Sequence, residues 1–344
     1  MRREATRGTR GATVTAVSDS RIAEDVRKGL WQDPPTLPAR WFYDERGSRL
    51  FDEITRLPEY YPTRRETEIL RRHSTEIAQR TDVTTLLELG SGMSTKTRLL
   101  LDALTADGRS LLFVPLDVSA EVMTEAAGII AAQYPTLTAQ PMVADFTESL
   151  GDLPGEPGRR LVAFLGGTIG NFYADERNAF LHRVRAALAP GDHFLVGADL
   201  VKPPSRLIPA YDDRAGVTAE FNRNLIEVLR AELGGHGLYV DDFEHVARWN
   251  PAHSRIEMWL RAKRDVHVHF DVLGLDWDLS AGAEMLTEIS TKFVLSELRD
   301  ELRSHELEPL RSWMDDAEDY SLTLARAIPG DRHDRAAYGD LRTG

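Results

Sequence analysis

Five short apolar runs mark the middle of the chain: Thr85 to Leu89, Leu111 to Leu116, Pro141 to Ala144, Leu161 to Leu165 and His193 to Gly197. Amphipathic, helix-like segments separate them. Continuous apolar runs of strand length between helices predict a parallel sheet covered on both faces, a doubly wound α/β architecture. Beyond Lys202-Pro203-Pro204 the pattern changes. Val217 to Leu233 has helical periodicity, whereas Phe243 to Trp249 and Arg255 to Lys263 alternate like paired strands joined by a turn at Asn250-Pro251-Ala252-His253. A helix over Leu295 to Arg303 follows. Two last strand candidates, Glu308 to Trp313 and Tyr320 to Ala325, flank an acidic turn at Asp315 to Asp319, expected to be exposed.

The start of the chain is different. Met1 to Ser20 has little to bury and is expected to be a disordered extension. Leu50 to Ile54 predicts a short helix ended by Pro58, and Pro62-Thr63 begins another, with Thr63 and Glu66 at capping-box spacing. Arg64-Arg65 and Arg71-Arg72 read as that helix's solvated face, and Trp249 and Trp259 as core of the middle region.

The 344 residues, 42% of them hydrophobic, suffice for one large domain with an insertion or for two. A net charge of −13 supplies no basic face for a phosphate backbone, so nucleic acid is not the expected partner. No apolar run is long enough to span a membrane, the first twenty residues lack the apolar core of a signal peptide, and there is no cysteine. These features suit a cytoplasmic protein working on a small molecule; a monomer is expected, though nothing in them bears on the oligomeric state.

Chemistry enters at Leu86-Leu87-Glu88-Leu89-Gly90-Ser91-Gly92, where a buried strand ends in glycines and a helix opens. In open α/β sheets ligands bind beyond the carboxyl ends of the strands, at the point where the winding reverses. Gly90 and Gly92 permit a close backbone approach that a Cβ would block. Asp117, ending the second run, suits the two ribose hydroxyls, and Asp145 suits an adenine amino group, with the backbone of Phe146 beside the ring nitrogens. Ser94 stands where a dinucleotide motif would have its third glycine, which points away from nicotinamide. The set predicts a pocket for S-adenosylmethionine. Alternatively the glycines make only a tight turn and both aspartates cap helices.

The fourth run ends Phe164-Leu165-Gly166-Gly167-Thr168-Ile169-Gly170-Asn171-Phe172, and in adenosylmethionine enzymes this strand end meets the nucleophile. Asn171 is an amide with no titrating proton, which suits an amine acceptor needing position and a hydrogen bond. It could also cap the next helix. His267 and His269 alternate along a strand, but an isolated pair of this kind faces solvent more often than metal, and no metal is expected.

Several further segments occur in one order: Trp41-Phe42-Tyr43-Asp44, Leu57-Pro58-Glu59-Tyr60-Tyr61-Pro62-Thr63-Arg64, Ala210-Tyr211-Asp212-Asp213, Phe221-Asn222-Arg223-Asn224, Ile256-Glu257-Met258-Trp259-Leu260 and Met285-Leu286-Thr287-Glu288-Ile289-Ser290. With the glycine turn and Gly170-Asn171, they make the chain resemble, from about Val26 to Ala325, the L-histidine Nα-methyltransferases of ergothioneine biosynthesis. The resemblance implies a class I, Rossmann-like methyltransferase sheet with an inserted α+β substrate-binding domain. It also implies methyl transfer from S-adenosylmethionine to the α-amine of L-histidine, giving the trimethylated betaine hercynine. By the family's pattern Tyr60 and Tyr211 hold the α-carboxylate, Asn171 accepts from the amine, Tyr43 lies near amine and methyl donor, and Glu288 and Ser290 read the imidazole. Phe51 and Met258 complete the substrate set. Gly90, Lys96, Asp117, Asp145, Phe146 and Gly166, with Tyr43, form the cofactor set. Gly167 departs from the family, which often has serine there.

On this basis residues 21–64 and 202–292 are expected to bind substrate, 65–201 and 293–328 to form the methyltransferase domain, and 329–344 to be a flexible tail. Two alternatives stand beside this reading: an Nα-methyltransferase for another amino acid, and a non-catalytic S-adenosylmethionine-binding module.

Overall fold

The computed structural model describes residues 12–118 and 120–329, with side chains from residue 21 onward apart from those of 120–122 and 125. The first helix, Ala12–Gly29, begins inside the stretch expected to be an extension. Its later turns carry Ile22 and Val26 on one buried stripe, which Leu30 continues just past the helix end. Residues 1–11 of that stretch, and 330–344 of the expected tail, lie outside the described residues. The described residues fall into two compact units, divided at Tyr61/Pro62, Lys202/Pro203 and Ser290/Thr291.

Strands are numbered in chain order. β1 (Thr85–Leu89), β2 (Leu111–Asp117), β3 (Leu137–Ala139), β4 (Met142–Val143), β5 (Arg160–Phe164) and β6 (His193–Asp199) belong to the second unit. β7 (Gly235–His236), β8 (Phe243–Asn250), β9 (Arg255–Ala262), β10 (Val266–Phe270), β11 (Leu275–Leu279) and β12 (Glu284–Thr291) belong to the first, apart from the last residue of β12. β13 (Leu307–Met314) and β14 (Tyr320–Ala327) return to the second.

The second unit is the expected doubly wound sheet, in the order β13-β14-β6-β5-β1-β2-β3. β6, β5, β1, β2 and β3 run parallel, and β14 and β13 close the edge antiparallel. Side chains alternate between two apolar layers, as a pleated strand requires. Leu87, Leu89, Val162 and Phe164 pack with Phe180, Val184 and Leu298, whereas Leu86, Phe113, Leu161 and Leu195 pack with Ile69, Ile77 and Leu101. Winding reverses between β1 and β5, so the carboxyl ends of these strands are where a ligand belongs.

The run Pro141 to Ala144 forms a strand, as expected, the short β4 pairing with Leu116–Asp117, but a further short strand outside that run, β3, shares the edge and pairs with Leu111–Phe113. Leu111 donates across this edge to Thr136 O, and on the same parity Pro115 has no N–H to give, so the partner breaks there.

The acidic turn is exposed at Asp316, Ala317 and Glu318, as expected, but its two ends are not. Asp315 and Asp319 are 3% and 1% exposed. The Asp315 carboxylate accepts from the backbone N–H groups of Ala317, Asp319 and Tyr320 at 2.7–2.9 Å, and Arg65 reaches both aspartates at 3.3 Å. Arg65 is therefore a partner for buried charge, which burial would otherwise make costly.

In the first unit the helix Val217–Leu233 ends at Gly234 in the left-handed region and presents Phe221, Leu225 and Leu229 to a core with Phe42, Leu260 and Phe270. The β8–β9 hairpin pairs from Phe243↔Ala262 to Asn250↔Arg255, with the turn where it was expected. β12-β9-β8 form one sheet and β11-β10-β7 another. Trp249 and Trp259 are only partly buried: Trp249 borders the core, and the Arg248 guanidinium lies over the Trp259 ring. His267 and His269 are exposed and pair across the hairpin with Asp278 and Asp276 at 2.6 and 2.7 Å. Among the described residues no helix is long and apolar enough to cross a membrane.

Candidate functional site

In the second unit the predicted cofactor residues gather at the carboxyl ends of β1, β2 and β5. Gly90 and Gly92 follow β1 with φ of +66° and +48°, a region costly for other residues. A Cβ on Gly90 would lie 3.4 Å from the Phe146 ring, and one on Gly92 would meet nothing within 4 Å. Beside that open space Asp117 ends β2, and its Oδ2 accepts from Gly92 N–H at 3.0 Å. Asp117 thus ties the glycine turn to the second strand. Asp145 Oδ1 accepts from the N–H and hydroxyl of Thr147 at 2.9 and 2.5 Å, so this aspartate does hold a local turn. The Phe146 ring stands edge-on to Phe164 at 5.4 Å, which fixes its plane beside Gly90.

Behind the turn is Glu88 of β1, fully buried, accepting from Ser94 Oγ at 3.0 Å and from Thr97 Oγ1. Burial, outweighing these hydroxyls, pushes its carboxyl up to about 7. The folded chain therefore holds the proton more tightly than the unfolded one. The resulting stabilisation is complete below the ordinary value of 4.5 and is lost as pH rises through about 7. Glu88→Gln cannot ionise. Urea titrations at pH 5 and pH 8 are expected to show wild type losing roughly 2–3 kcal/mol relative to this variant as pH rises.

Glu66 plays no part in a capping box. The helix Pro62–Thr81 already includes Thr63, and the Glu66 carboxylate is fully buried. It accepts from Gly166 N–H at 2.8 Å and Tyr320 OH at 2.8 Å, and it pairs with Lys96. Room for it exists because β6 has Gly197, where a Cβ would sit 2.3 Å from Glu66 Oε1. Lys96 and Gly166 were expected at the cofactor, but the carboxylate joining them was missed. The only sequence signal was a glutamate on an otherwise charged helix.

Gly166 and Gly167 after β5 have φ of +84° and +72°, and a side chain at 167 would meet Tyr320 OH at 3.4 Å. The left-handed backbone suits the glycine found here in place of serine. Asn171 ends the short turn Thr168–Asn171 and does not cap the next helix, whose N-cap is Tyr173 with Glu176 accepting from its N–H.

The first unit brings together most of the predicted substrate residues. Tyr43 packs edge-on to Phe51 (5.6 Å), Phe51 to Tyr60 (6.2 Å) and Tyr60 to Tyr211 (6.2 Å). The Tyr211 hydroxyl is 2.8 Å from Ser290 Oγ. Tyr60, Tyr211 and Ser290 are buried, whereas Tyr43 is 39% exposed. Glu288 lies two residues before Ser290 on β12, on the same face of the strand. Met258 is buried on β9, its carbonyl within 2.9 Å of Thr287 Oγ1. The spacing of the other motifs also has a cause. Asp44 caps the helix Glu45–Ile54 through Gly47 N–H and accepts from Asn224, while Phe221 packs on Tyr43.

The model of the family described as "Histidine-specific methyltransferase, SAM-dependent" matches residues 22–327. A histidine N-alpha-methyltransferase of Mycolicibacterium smegmatis is 50% identical over 88% of this chain and 94% of its own length. The Mycobacterium tuberculosis protein of the same name is 49% identical over the same shares. Ergothioneine biosynthesis protein 1 of Neurospora crassa is 33% identical over 63% of this chain, which spans only 25% of that protein. With a doubly wound sheet, a glycine turn tied to an acidic strand end, and a family match over nearly all described residues, the chain belongs to the histidine-specific, S-adenosylmethionine-dependent methyltransferases.

Proposed function

We propose that this enzyme transfers methyl groups from S-adenosylmethionine to the α-amino nitrogen of L-histidine, through mono- and dimethyl stages to hercynine, in ergothioneine biosynthesis. One observation carries the assignment to a free amino acid: the hydroxyls of Tyr211 and Ser290 meet at 2.8 Å at the end of the ring series Tyr43, Phe51, Tyr60 and Tyr211. Hydroxyls both donate and accept, so the set can bind a carboxylate and an imidazole nitrogen together. The names of the relatives support histidine as the amino acid and ergothioneine as the pathway.

Bound S-adenosylmethionine supplies a methyl group on a sulfonium, already electrophilic enough to need no metal. Gly90, Lys96, Asp117, Asp145, Phe146 and Gly166 would hold it, and the chain's task is then alignment. Tyr60 and Tyr211 orient the α-carboxylate, and Asn171 accepts from the α-amine in the first two transfers, while the neutral nitrogen still bears an N–H, so that its lone pair faces the donor. The amine loses its proton to solvent before each transfer. The aromatic faces of Tyr43, Phe51 and Tyr60 tolerate the cation that accumulates with methylation. Glu288 and Ser290 pair with the donor and acceptor nitrogens of the imidazole. The same reading has the enzyme acting as a cytoplasmic monomer on a small molecule, with nucleic acid disfavoured by the net charge of −13.

The test is mass spectrometry of histidine, tryptophan and tyrosine incubated separately with the protein and S-adenosylmethionine. Successive addition of up to three methyl groups to histidine is the expected result. Faster methylation of an aromatic amino acid would transfer the assignment to that substrate, and no product from any amine would leave a binding module. Glu288→Ala is expected to cut the preference for histidine over tryptophan in kcat/KM by about a hundredfold, because a site built to pair polar atoms rejects a partner that lacks them.

A further inference from the structure

Behind Tyr211 and Ser290, inside the first unit, lies a chain of buried polar groups that the proposed chemistry does not use. Asn222, on the helix Val217–Leu233, is fully buried. Its amide nitrogen lies 3.0 Å from Trp259 O and 2.8 Å from His245 Nδ1, and its amide oxygen lies 2.7 Å from Thr287 Oγ1. A carbonyl can only accept, so Trp259 O fixes which way the amide faces. The second amide hydrogen then points at His245 Nδ1, which must accept it. On the other side of the ring His245 Nε2 is 2.7 Å from Tyr211 O, again an acceptor only. Both contacts demand one tautomer, the neutral imidazole with its hydrogen on Nε2.

We propose that His245, held in this tautomer by Asn222, is a positioning residue for the amino-acid substrate: it fixes the main chain of Tyr211, and with it the Tyr211–Ser290 hydroxyl pair, without touching the substrate. This rests on the assignment of Tyr211 and Ser290 to substrate made above. The position is well determined. Asn222 is anchored on three sides by β8, β9 and β12, so the imidazole cannot turn without breaking other buried bonds. A second proton on the ring would set an N–H against the Asn222 N–H. Burial acts in the same direction, holding the imidazole below its ordinary range; the Tyr211 carbonyl, Asp212 and Asp213 pull it up, and Arg223 pulls it down.

The test uses His245→Phe, which keeps a ring but has no donor, and His245→Gln, whose amide can donate to Tyr211 O and does not titrate. His245→Phe is expected to raise KM for histidine by about tenfold, with kcat changed much less, while the calorimetric Kd for S-adenosylmethionine stays within about twofold of wild type. His245→Gln is expected to restore most of the KM. In the ratio of wild-type to His245→Gln kcat/KM, the titration of the substrate cancels. That ratio should fall only as pH drops below the ordinary histidine range. An unchanged KM in His245→Phe, or KM and cofactor Kd worsening in parallel with no recovery in His245→Gln, would overturn the proposal. Tyr211→Phe separates the two levels. If it too leaves KM unchanged, the assignment of the substrate site fails and this inference with it; if it raises KM while His245→Phe does not, only the positioning role of His245 is lost.

Discussion

Glu66→Ala is expected to abolish measurable S-adenosylmethionine binding and to lower unfolding free energy by about 3–5 kcal/mol, the range for removing one member of a buried ion pair. Three donors converge on this carboxylate: Lys96 from the loop after β1, Gly166 N–H from the turn after β5, and the Tyr320 hydroxyl from β14. Truncation leaves all three facing an apolar gap and releases the turn from the loop. Glu66→Gln retains an acceptor for Gly166 but not the countercharge for Lys96, so its affinity should lie between wild type and alanine. Gly197→Ala reaches the same network from the other side, because its new Cβ would be 2.3 Å from the carboxylate. Calorimetric titration of the cofactor with urea unfolding of each variant checks this. A Glu66→Ala protein that is less stable but binds S-adenosylmethionine as wild type does would show the carboxylate to be structural only.

Asn171→Ala is expected to reduce kcat for histidine methylation by about a hundredfold or more, with cofactor Kd near wild type. The amine needs no base of its own once deprotonated, so in the proposed role the amide contributes orientation, and misplacement by about an ångström can cost a factor of this size. Asn171 does not cap the helix that follows it, and urea unfolding of the variant checks that the fold is kept. Single-turnover rates at saturating cofactor and histidine measure the effect, and Asn171→Asp, which keeps an acceptor, should retain more rate than alanine. Parallel loss of turnover and of cofactor affinity would show that Asn171 supports the cofactor turn and not the amine.

Much of this architecture is legible along the chain. The strands that begin at Thr85, Leu111, Arg160 and His193 coincide with apolar runs because a parallel sheet buried on both faces has few polar positions to disguise it. The helix Val217–Leu233 stands out by its period and its terminal glycine. Gly90, Gly92 and Asp117 are legible for a related reason: the backbone conformation and the strand end proposed to hold the cofactor are local properties of a short segment.

Groups that act by meeting across the fold are not legible in this way. Glu66 looks like one more charge on a charged helix until the sheet brings Tyr320 and Gly166 to it. Asp315 and Asp319 look like a solvated turn until Arg65 covers them. His245 sits on a half-buried strand like many histidines, and its tautomer follows only from Asn222 and the Tyr211 carbonyl, contributed by other elements. The order of motifs along the chain identifies the family and the residues at issue. What binds each buried charge, which hydrogen an imidazole carries, and where Pro115 splits the sheet edge are decided by the tertiary structure, because a polar group's state depends on the neighbours that replace its water and those neighbours are distant in sequence.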